Sequence, residues 1–189
     1  MNPILGAALE VEAACRRARF DFCFIGGVAV QRWGEPRLTQ DVDLTLLTGV
    51  GGEARFVDEI LRHFGARLPD AREFALLNRV LLVHASNGVP IDVSLGAMPF
   101  EERTIERSSA FSIGGGETIT TCSAEDLVVH KAFAGRDKDW LDIRGVLVRR
   151  GAQLALEIVW AELLPLLELR DDVTTEPRLR RLVLEAAGR

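Results

Sequence analysis

Apolar and polar residues alternate strictly in two parts of the chain, and this pattern predicts two β-strands. Residues 40–47 have the sequence QDVDLTLL, and residues 91–95 have the sequence IDVSL. Because successive side chains of a strand point to opposite faces, each predicted strand has one apolar and one polar face. The polar faces carry Asp41 and Asp43 in the first strand and Asp92 in the second. Aspartate is depleted in strands, so the residue type at these three positions is unfavourable for a strand.

The remaining pattern predicts a mixed α/β half followed by a helical half. Further strands are predicted at residues 20–25, 76–85, 111–113 and 118–121, and helices at residues 4–19, 28–33 and 53–64. Asn87-Gly88 favours a hairpin turn before the strand at residues 91–95. From Ser123, a helix N-cap with an acidic first turn, the chain is predicted to be helical. We therefore expect an α/β (α+β) fold with a core at residues 1–122 and a helical region at residues 123–189 packed on it.

The composition is that of an ordinary globular protein. The chain has 189 residues, 48% hydrophobic and 27% charged, and its formal net charge is -5. A nucleic acid would therefore have to be held by a local basic patch. The three cysteines form no CxxC pair, and no apolar stretch approaches the ~20 residues that cross a bilayer. Because a secretory signal pattern is also lacking, we expect a cytoplasmic protein that does not enter a membrane.

The carboxylates of the two alternating strands indicate a metal site. Two residues along a strand, Asp41 and Asp43 lie on one face about 6.5–7 Å apart, and their charges repel unless a cation lies between them. Oxygen ligands suit Mg²⁺ or Mn²⁺. If the strand of Asp92 is a neighbour, three carboxylates share that face and fit a two-metal site for phosphoryl transfer. Asp92 would then be a metal ligand, a general base, or both.

Each of these carboxylates also has a simpler interpretation. Asp41 and Asp43 fit the exposed polar face of an edge strand, and Asp92 fits a solvated strand end after Pro90. Gly26-Gly27, between a predicted strand and a predicted helix, would let backbone amides approach a phosphate at a helix N-terminus. Such a pair is often only a turn, but here it lies 14 residues before Asp41.

Taken together, these segments resemble the signature of the nucleotidyltransferase superfamily. The matching segments are FIGGVA at residues 24–29 and RLTQDVD at residues 37–43. The arginine and threonine before the acid pair resemble the AbiEii-type branch, which contains toxins of toxin–antitoxin systems. Ser123-Ala124, Lys131, Arg136 and KDWLD at residues 138–142 resemble that branch's later motif. The resemblance implies a nucleotidyltransferase-like mixed sheet with flanking helices and a helical C-terminal region.

The resemblance also implies a role for each matching residue. Gly26 and Gly27 would cradle the triphosphate, although many superfamily members have serine in place of the second glycine. Asp41, Asp43 and Asp92 would be the catalytic residues and would hold the metal. In addition, five residues are expected to bind the nucleotide: Arg37, Thr39, Lys131, Arg136 and Lys138.

The reasons for these five residues differ. The resemblance places Lys131 at a phosphate. Lys131 and Lys138 are the two lysines of a chain that otherwise uses 21 arginines, which suggests positions where a compact ammonium is required. Arg37 would contact a phosphate or the base, with Thr39 steadying the loop, although a solvated loop arginine is the simpler alternative.

Asp139 is expected to orient these cations. On a helix over residues 136–148, Asp139 falls within the apolar arc of Trp140, Ile143 and Leu147. A carboxylate that points inward must be paired, and Lys131 and Arg136 are the candidate partners. Alternatively, Asp139 only complements the dipole at the N-terminus of its helix.

The resulting hypothesis is metal-dependent transfer of a nucleoside monophosphate from an NTP to a hydroxyl acceptor. The toxin-like resemblance suggests an RNA (tRNA) 3′ end as acceptor and a cognate antitoxin as partner. Two alternatives stay open: a small hydroxylated acceptor such as an antibiotic, and a non-catalytic relative that binds a nucleotide or a partner. Arginines at the ends of the later helices would be a basic patch for RNA or merely solvated helix faces; they are Arg149, Arg150, Arg178, Arg180 and Arg181.

Overall fold

The computed structural model describes residues 2–188, in which a mixed α/β part is followed by helices. The helices are α1 (Pro3–Ala18), α2 (Gly26–Trp33), α3 (Glu53–His63), α4 (Ala71–Asn78), α5 (Pro99–Glu106), α6 (Ala124–Ala134), α7 (Asp137–Arg150), α8 (Leu156–Glu168) and α9 (Thr175–Ala187). The strands are β1 (Phe22–Phe24), β2 (Val42–Leu47), β3 (Gly65–Ala66), β4 (Val80–His84), β5 (Pro90–Gly96), β6 (Ser109–Gly114) and β7 (Glu117–Thr121). Within the described residues, no helix is long and apolar enough to cross a membrane.

These strands form one mixed sheet with the order β3-β4-β5-β2-β1-β7-β6. Two neighbouring pairs are parallel, β2 with β5 and β1 with β7, and the other neighbours are antiparallel. The mixed sheet with flanking helices confirms the predicted α/β fold class. It also makes the two alternating strands of the sequence, β2 and β5, direct neighbours near the centre of the sheet.

The apolar face of the sheet explains why β2 and β5 are stable at this position. Their alternating apolar residues are at most 2% exposed; they are Val42, Leu44, Leu46, Ile91, Val93 and Leu95. They belong to one core with apolar residues of α1 and α3. Burial of six such side chains, each worth about 1.5–3 kcal/mol, fixes which face is covered and leaves the acidic side chains on the other.

The hairpin predicted from Asn87-Gly88 is confirmed, and the strands predicted at residues 111–113 and 118–121 also pair as a hairpin. Strand β4 pairs with β5 around Asn87-Gly88, where Gly88 has a φ of +81° and donates to the carbonyl of Ala85 at 2.9 Å. Strands β6 and β7 pair around the glycines that follow Ile113. Pro90 is itself part of β5, so that strand begins one residue earlier than predicted.

Three parts of the predicted element pattern were wrong. Residues 76–78 form the end of α4, not a strand, because Ala71 and Ala75 are buried while Leu77 is largely exposed. Helix α5 follows Met98 and was not predicted at all. Strand β2 begins at Val42, so Asp41 lies in a bend just before the strand that was expected to contain it.

The chain forms two compact units. The first runs to Val28 and resumes as Leu38–Cys122, and the second comprises Ala29–Arg37 and the residues from Ser123 onward. The second unit therefore includes a segment that the sequence pattern assigned to residues 1–122. The expected division into a catalytic core and a helical region packed on it stays a prediction.

The second unit is built from the late helices. Ser123 caps α6 by accepting a hydrogen bond from the Asp126 amide at 3.0 Å, as the sequence predicted, and Gly135 ends α6 with a φ of +67°. Helix α6 packs against α7, α8 and α9. The interior of the second unit is apolar: one residue from each of these four helices is fully buried, namely Leu127, Ile143, Leu163 and Leu179.

Candidate active site

The candidate site in the first unit is the polar face shared by β2 and β5, which carries Asp43 and Asp92 and is called the acid face below. In the parallel register of these strands Asp43 lies directly opposite Asp92. Neighbouring strands are about 4.8 Å apart, so the two carboxylates stand side by side on one face. Both residues are partly exposed, so this pair of negative charges is accessible to solvent. The sequence predicted the shared face, and the sheet supplies the pairing on which that prediction depended.

Gly26-Gly27, hereafter the glycine turn, lies against Asp43. Gly26 has a φ of +57°, and a Cβ atom added to it would lie 2.0 Å from Oδ2 of Asp43. The amide of Ile25 donates to the carbonyl of Asp43 at 3.0 Å, which joins the turn to β2. Glycine is therefore required at position 26 both by its backbone conformation and by the close approach of a carboxylate.

Thr39 lies between the glycine turn and Asp41. A Cβ atom added to Gly27 would lie 2.3 Å from the Thr39 hydroxyl oxygen. That hydroxyl lies 3.0 Å from Oδ1 of Asp41 and donates a hydrogen bond to it. Thr39 thus fills the space that a side chain at position 27 would need, and it fixes the orientation of the Asp41 carboxylate.

Asp92 has a partner that sequence reasoning missed. Arg67, which follows the two-residue strand β3, donates from Nη1 to Oδ1 of Asp92 at 2.5 Å. The Arg67 amide donates to the carbonyl of Leu82 at 3.1 Å, which holds its backbone beside β4. Since Arg67 lies 25 positions before Asp92 and its segment has no clear strand pattern, the sequence carries no signal for this pair.

The donor set of the acid face fits a divalent cation. Asp43 and Asp92 offer adjacent carboxylate oxygens, and Mg²⁺ in proteins is commonly held by one or two carboxylates together with substrate phosphates. Over residues 2–188 no three His, Cys, Asp or Glu side chains converge on one point as a ready metal cage. The assignment of Asp41, Asp43 and Asp92 as metal ligands stays a prediction.

The second unit contains a buried ionic cluster of its own. The side chain of Lys131 is 6% exposed, and its ammonium lies 3.0 Å from Oδ1 of Asp139 and 2.9 Å from Oδ2 of Asp142. The two aspartates are three residues apart on α7, so they face α6 together. The inward orientation predicted for Asp139 and its pairing with Lys131 are confirmed.

Two arginines complete this cluster, which we call the Lys131 cluster. The Arg37 guanidinium donates two hydrogen bonds, of 2.7 and 2.9 Å, to the Asp142 carboxylate. The Arg136 guanidinium donates two, of 2.7 and 3.3 Å, to the Asp139 carboxylate. The arginine side chains are 34% and 61% exposed, respectively. The cluster is thus a chain of alternating charges with a buried ammonium at its centre and a guanidinium at each end. Lys138 is exposed and lies outside it.

The pairing sets the charge state of both carboxyls. Burial by itself would raise the pKa of Asp139, but hydrogen bonds from Arg136 and Lys131 outweigh it and lower the pKa. In the same way burial by itself would raise the pKa of Asp142, but hydrogen bonds from Arg37 and Lys131 outweigh it and lower that pKa. Both groups therefore stay ionised in the neutral pH range and keep the arginines oriented.

Comparison with solved structures shows the same fold in nucleotidyltransferases. The chain is similar to the antibiotic-resistance factor ANT(2'')-Ia, with a TM-score of 0.55 and 15% identity over 81% of this chain and 87% of that one. It is also similar to an antigenic nucleotidyltransferase-like protein from Paracoccidioides brasiliensis, with a TM-score of 0.51 and 13% identity over 95% of this chain and 90% of that one. At these identities the likeness is one of fold alone.

Comparison of sequences gives the family. No curated protein matches the chain. The family described as "Nucleotidyl transferase AbiEii toxin, Type IV TA system" matches residues 11–187, a range that contains the glycine turn, the acid face and the Lys131 cluster. The chain therefore belongs to the AbiEii nucleotidyltransferase toxin family and is a nucleotidyltransferase.

Proposed function

We propose that this enzyme uses Asp41, Asp43 and Asp92 with Mg²⁺ or Mn²⁺ to move a nucleoside monophosphate from an NTP to a hydroxyl at an RNA 3′ end, such as that of tRNA. The observation that carries the proposal is the placement of Asp43 beside Asp92 and directly beneath the glycine turn. Acidic ligands for a cation and backbone amides for a phosphate then lie next to each other. The family assignment implies a cognate antitoxin in addition to the NTP.

The glycine turn holds the triphosphate in this proposal. Gly26 and Gly27 form the first residues of α2, whose free backbone amides and helix dipole favour an anion at this end. Gly26 has no side chain that would keep a phosphate away from Asp43. The Thr39 hydroxyl lies where a side chain of residue 27 would be. Its one proton is donated to Asp41, so donation to a phosphate requires the hydroxyl to turn away from that carboxylate.

The chemical step is a displacement at the α-phosphorus. The acceptor oxygen forms a bond to the α-phosphorus, the bond to the bridging oxygen of the β-phosphate breaks, and pyrophosphate leaves. Asp92 takes the proton of the acceptor hydroxyl; its contact with Arg67 occupies Oδ1, and Oδ2 receives the proton. Asp43 and Asp92, with Asp41 as a further ligand, would hold a divalent cation, which would neutralise charge on the triphosphate.

The Lys131 cluster provides cations for phosphate or base contact. Lys131 was expected to reach a phosphate directly, and two of its three donors are directed to Asp139 and Asp142. We therefore assign Lys131 chiefly a positioning role: it holds the two aspartates, and they hold Arg37 and Arg136. The guanidinium groups have the exposure needed to meet the nucleotide. Lys138 is a further candidate contact on the exposed start of α7.

The test is incubation of the purified protein with each α-labelled NTP, Mg²⁺ and total RNA. We expect label on RNA, and we expect it to be abolished by a chelator or by Asp43→Asn. The matched control is Asp21→Asn, an exposed aspartate just before β1, which should label RNA as the wild type does. Gly26→Ala should reduce labelling at least about 100-fold, since a catalytic carboxylate would be displaced. Gly49→Ala has a similar φ of +70° and open space around it, and should have little effect.

Each other result has a distinct meaning. Equal labelling by wild type and Asp43→Asn would contradict the assigned site. Label on a small hydroxylated acceptor such as an aminoglycoside, with none on RNA, would keep the site and replace the acceptor. The net charge of -5 favours a cationic small molecule in that case. NTP binding measured by calorimetry without turnover on either acceptor would contradict the proposed reaction.

A further inference from the structure

A pocket of about 320 Å³ lies on the outer side of α7, where that helix meets α9. Its lining includes Trp140, Leu141, Arg144, Arg178, Arg181 and Glu185. We call it the arginine pocket. Leu141 and Arg144 lie on the exposed side of α7, whereas Asp139 and Asp142 of the Lys131 cluster lie on its buried side. The arginine pocket is therefore distinct from that cluster, although both are in the second unit.

The pocket is preorganised around one of its arginines. The guanidinium carbon of Arg178 lies 4.2 Å from the centroid of the Trp140 ring, in a cation–π contact. The Trp140 ring is itself held by a hydrogen bond of 3.1 Å from its Nε1 to the carbonyl of Gly135. Arg181 follows Arg178 at the i+3 position of α9 and so projects from the same face. Two guanidinium groups are thus presented from α9 and a third, Arg144, from α7.

Within the described residues, the charges of the arginine pocket are not neutralised by ion pairs. Between Asn2 and Gly188, no carboxylate lies within 4.0 Å of the guanidinium groups of Arg144, Arg178 or Arg181. By contrast Arg180, on the same helix, pairs with Glu176 at 2.7 Å. With Glu185 as the acid of the pocket lining, three positive charges face one negative charge in a chain whose net charge is -5. Like charges gathered in this way repel, and an anionic ligand would relieve the repulsion.

We propose that the arginine pocket binds the phosphate backbone of single-stranded RNA. Arginine is suited to phosphate because its planar guanidinium donates two parallel hydrogen bonds to phosphate oxygens. Leu141, which is 70% exposed at the rim, offers an apolar surface to a sugar or a base. Arginines on two helices suit successive phosphates of one strand. The inference rests on the proposed function, in which RNA is the acceptor, and it names where that RNA is held.

The test measures RNA binding without catalysis. A short fluorescein-labelled single-stranded RNA of mixed sequence is titrated with the full chain, without NTP or Mg²⁺, at several salt concentrations. For Arg144→Ala/Arg181→Ala we expect affinity to fall by roughly tenfold or more, and the slope of log K against log salt to fall by about 1.4, because each single-strand phosphate contact contributes about 0.7. Arg144→Lys/Arg181→Lys should keep most of the slope, since it keeps the charge.

The matched control is Arg17→Ala/Arg55→Ala, which removes two exposed arginines from the first unit. It should bind RNA with the affinity and salt slope of the wild type. An equal loss in both double variants, or no loss in the pocket variant, would overturn the proposal. So would failure of the wild type to bind the RNA, or binding of an acidic peptide in its place. Because NTP turnover is measured separately, unchanged RNA binding by the pocket variant together with intact nucleotide transfer by the wild type would reject the pocket and leave the proposed transfer reaction in place.

Discussion

The space beside Gly27 is occupied by the side chain of Thr39. A Cβ atom at position 27 would lie 2.3 Å from the Thr39 hydroxyl oxygen and 2.7 Å from the Thr39 Cβ, so serine cannot be accommodated there without movement of residue 39. Thr39 is β-branched and its hydroxyl donates to Asp41, so it does not move easily. We infer that the hydroxyl which many superfamily members carry on the second residue of the turn has its counterpart, in this chain, on residue 39.

A side-chain exchange tests this interpretation. Gly27→Ser alone should lower kcat/KM for NTP by roughly tenfold or more, because forcing extra atoms into a filled site costs about 1–3 kcal/mol. Gly27→Ser/Thr39→Gly moves the hydroxyl across and removes the collision, so it should recover most of the lost activity. Thr39→Gly alone serves as the control. Additive effects of the two substitutions would contradict the interpretation, since residues that compete for one space must show coupling.

At the level of single residues, prediction from sequence succeeded where the reason was local. Asp139 could be placed on the inward face of α7 because helical spacing alone determines the angular position of a residue around the helix axis. The partner of Asp92, Arg67, could not be found, because it depends on the pairing of the very short β3 with β4. The contact of Thr39 with Gly27 was also out of reach, since it joins a loop to a turn across 12 positions of chain.

At the level of secondary-structure elements, α6 and α7 are linked by buried ion pairs, in which each helix supplies the charge that compensates the other. The Lys131 ammonium is buried between Asp139 and Asp142. A buried ion pair adds little net stability over apolar residues, but removal of one partner leaves the other charge uncompensated. The geometry therefore indicates that Lys131 is needed to hold two carboxylates, and through them the orientation of Arg37 and Arg136.

The two lysines of the chain permit a direct comparison. Lys131→Met should lower the free energy of unfolding by about 3 kcal/mol, because it leaves two buried carboxylates with one cation each. Lys138→Met, on the exposed start of α7, should change it by less than about 0.5 kcal/mol. Urea denaturation at neutral pH measures both. If the two variants lose the same stability, Lys131 does not hold this cluster together.

The element pattern was predictable where the apolar period was long or a turn was strong. The β4–β5 hairpin and the start of α6 followed from Asn87-Gly88 and Ser123. The end of α4 was mistaken for a strand because Leu77 is mostly exposed and the small residue Ala75 is buried instead. The sequence also could not show that β2 and β5 pair in parallel, because that depends on the path of all the chain between them.

On the scale of the whole molecule, the two units draw on distant parts of the chain. Ala29–Arg37 belongs to the same unit as the residues from Ser123 onward, which brings Arg37 to Asp142 across 105 positions. The order of residues along the chain cannot predict that residues 29–37 belong to the second unit. That assignment depends on the direction of α2 after the glycine turn. The sequence could predict which residues carry charge, but it did not show that Arg37 would share a network with the later motif.

This long-range network gives the stability of the molecule a specific dependence on pH. The pKa values of Asp139 and Asp142 are lower in the folded chain than the ordinary value of an unfolded chain, about 3.9. Their ionised forms therefore stabilise the fold fully above pH ~4, and this contribution is lost as the pH falls through the lowered pKa values. Other paired or hydrogen-bonded acids, such as Asp172, have lowered pKa values as well. The wild-type response to acid alone would not isolate the cluster.

The contribution of the Lys131 cluster can be isolated by comparing the Tm of a variant with that of the wild type. Asp142→Asn removes the ion pairs with Arg37 and Lys131, so at pH 7 it should have a clearly lower Tm than the wild type. Below pH ~4 the wild-type carboxyl is itself progressively protonated, so the difference in Tm should shrink as the pH falls. Asp137→Asn, at an exposed acid of the same helix, should track the wild type throughout. A Tm difference for Asp142→Asn that is constant from pH 7 into the acid range would mean that the charge of Asp142 adds nothing and that only its shape is needed.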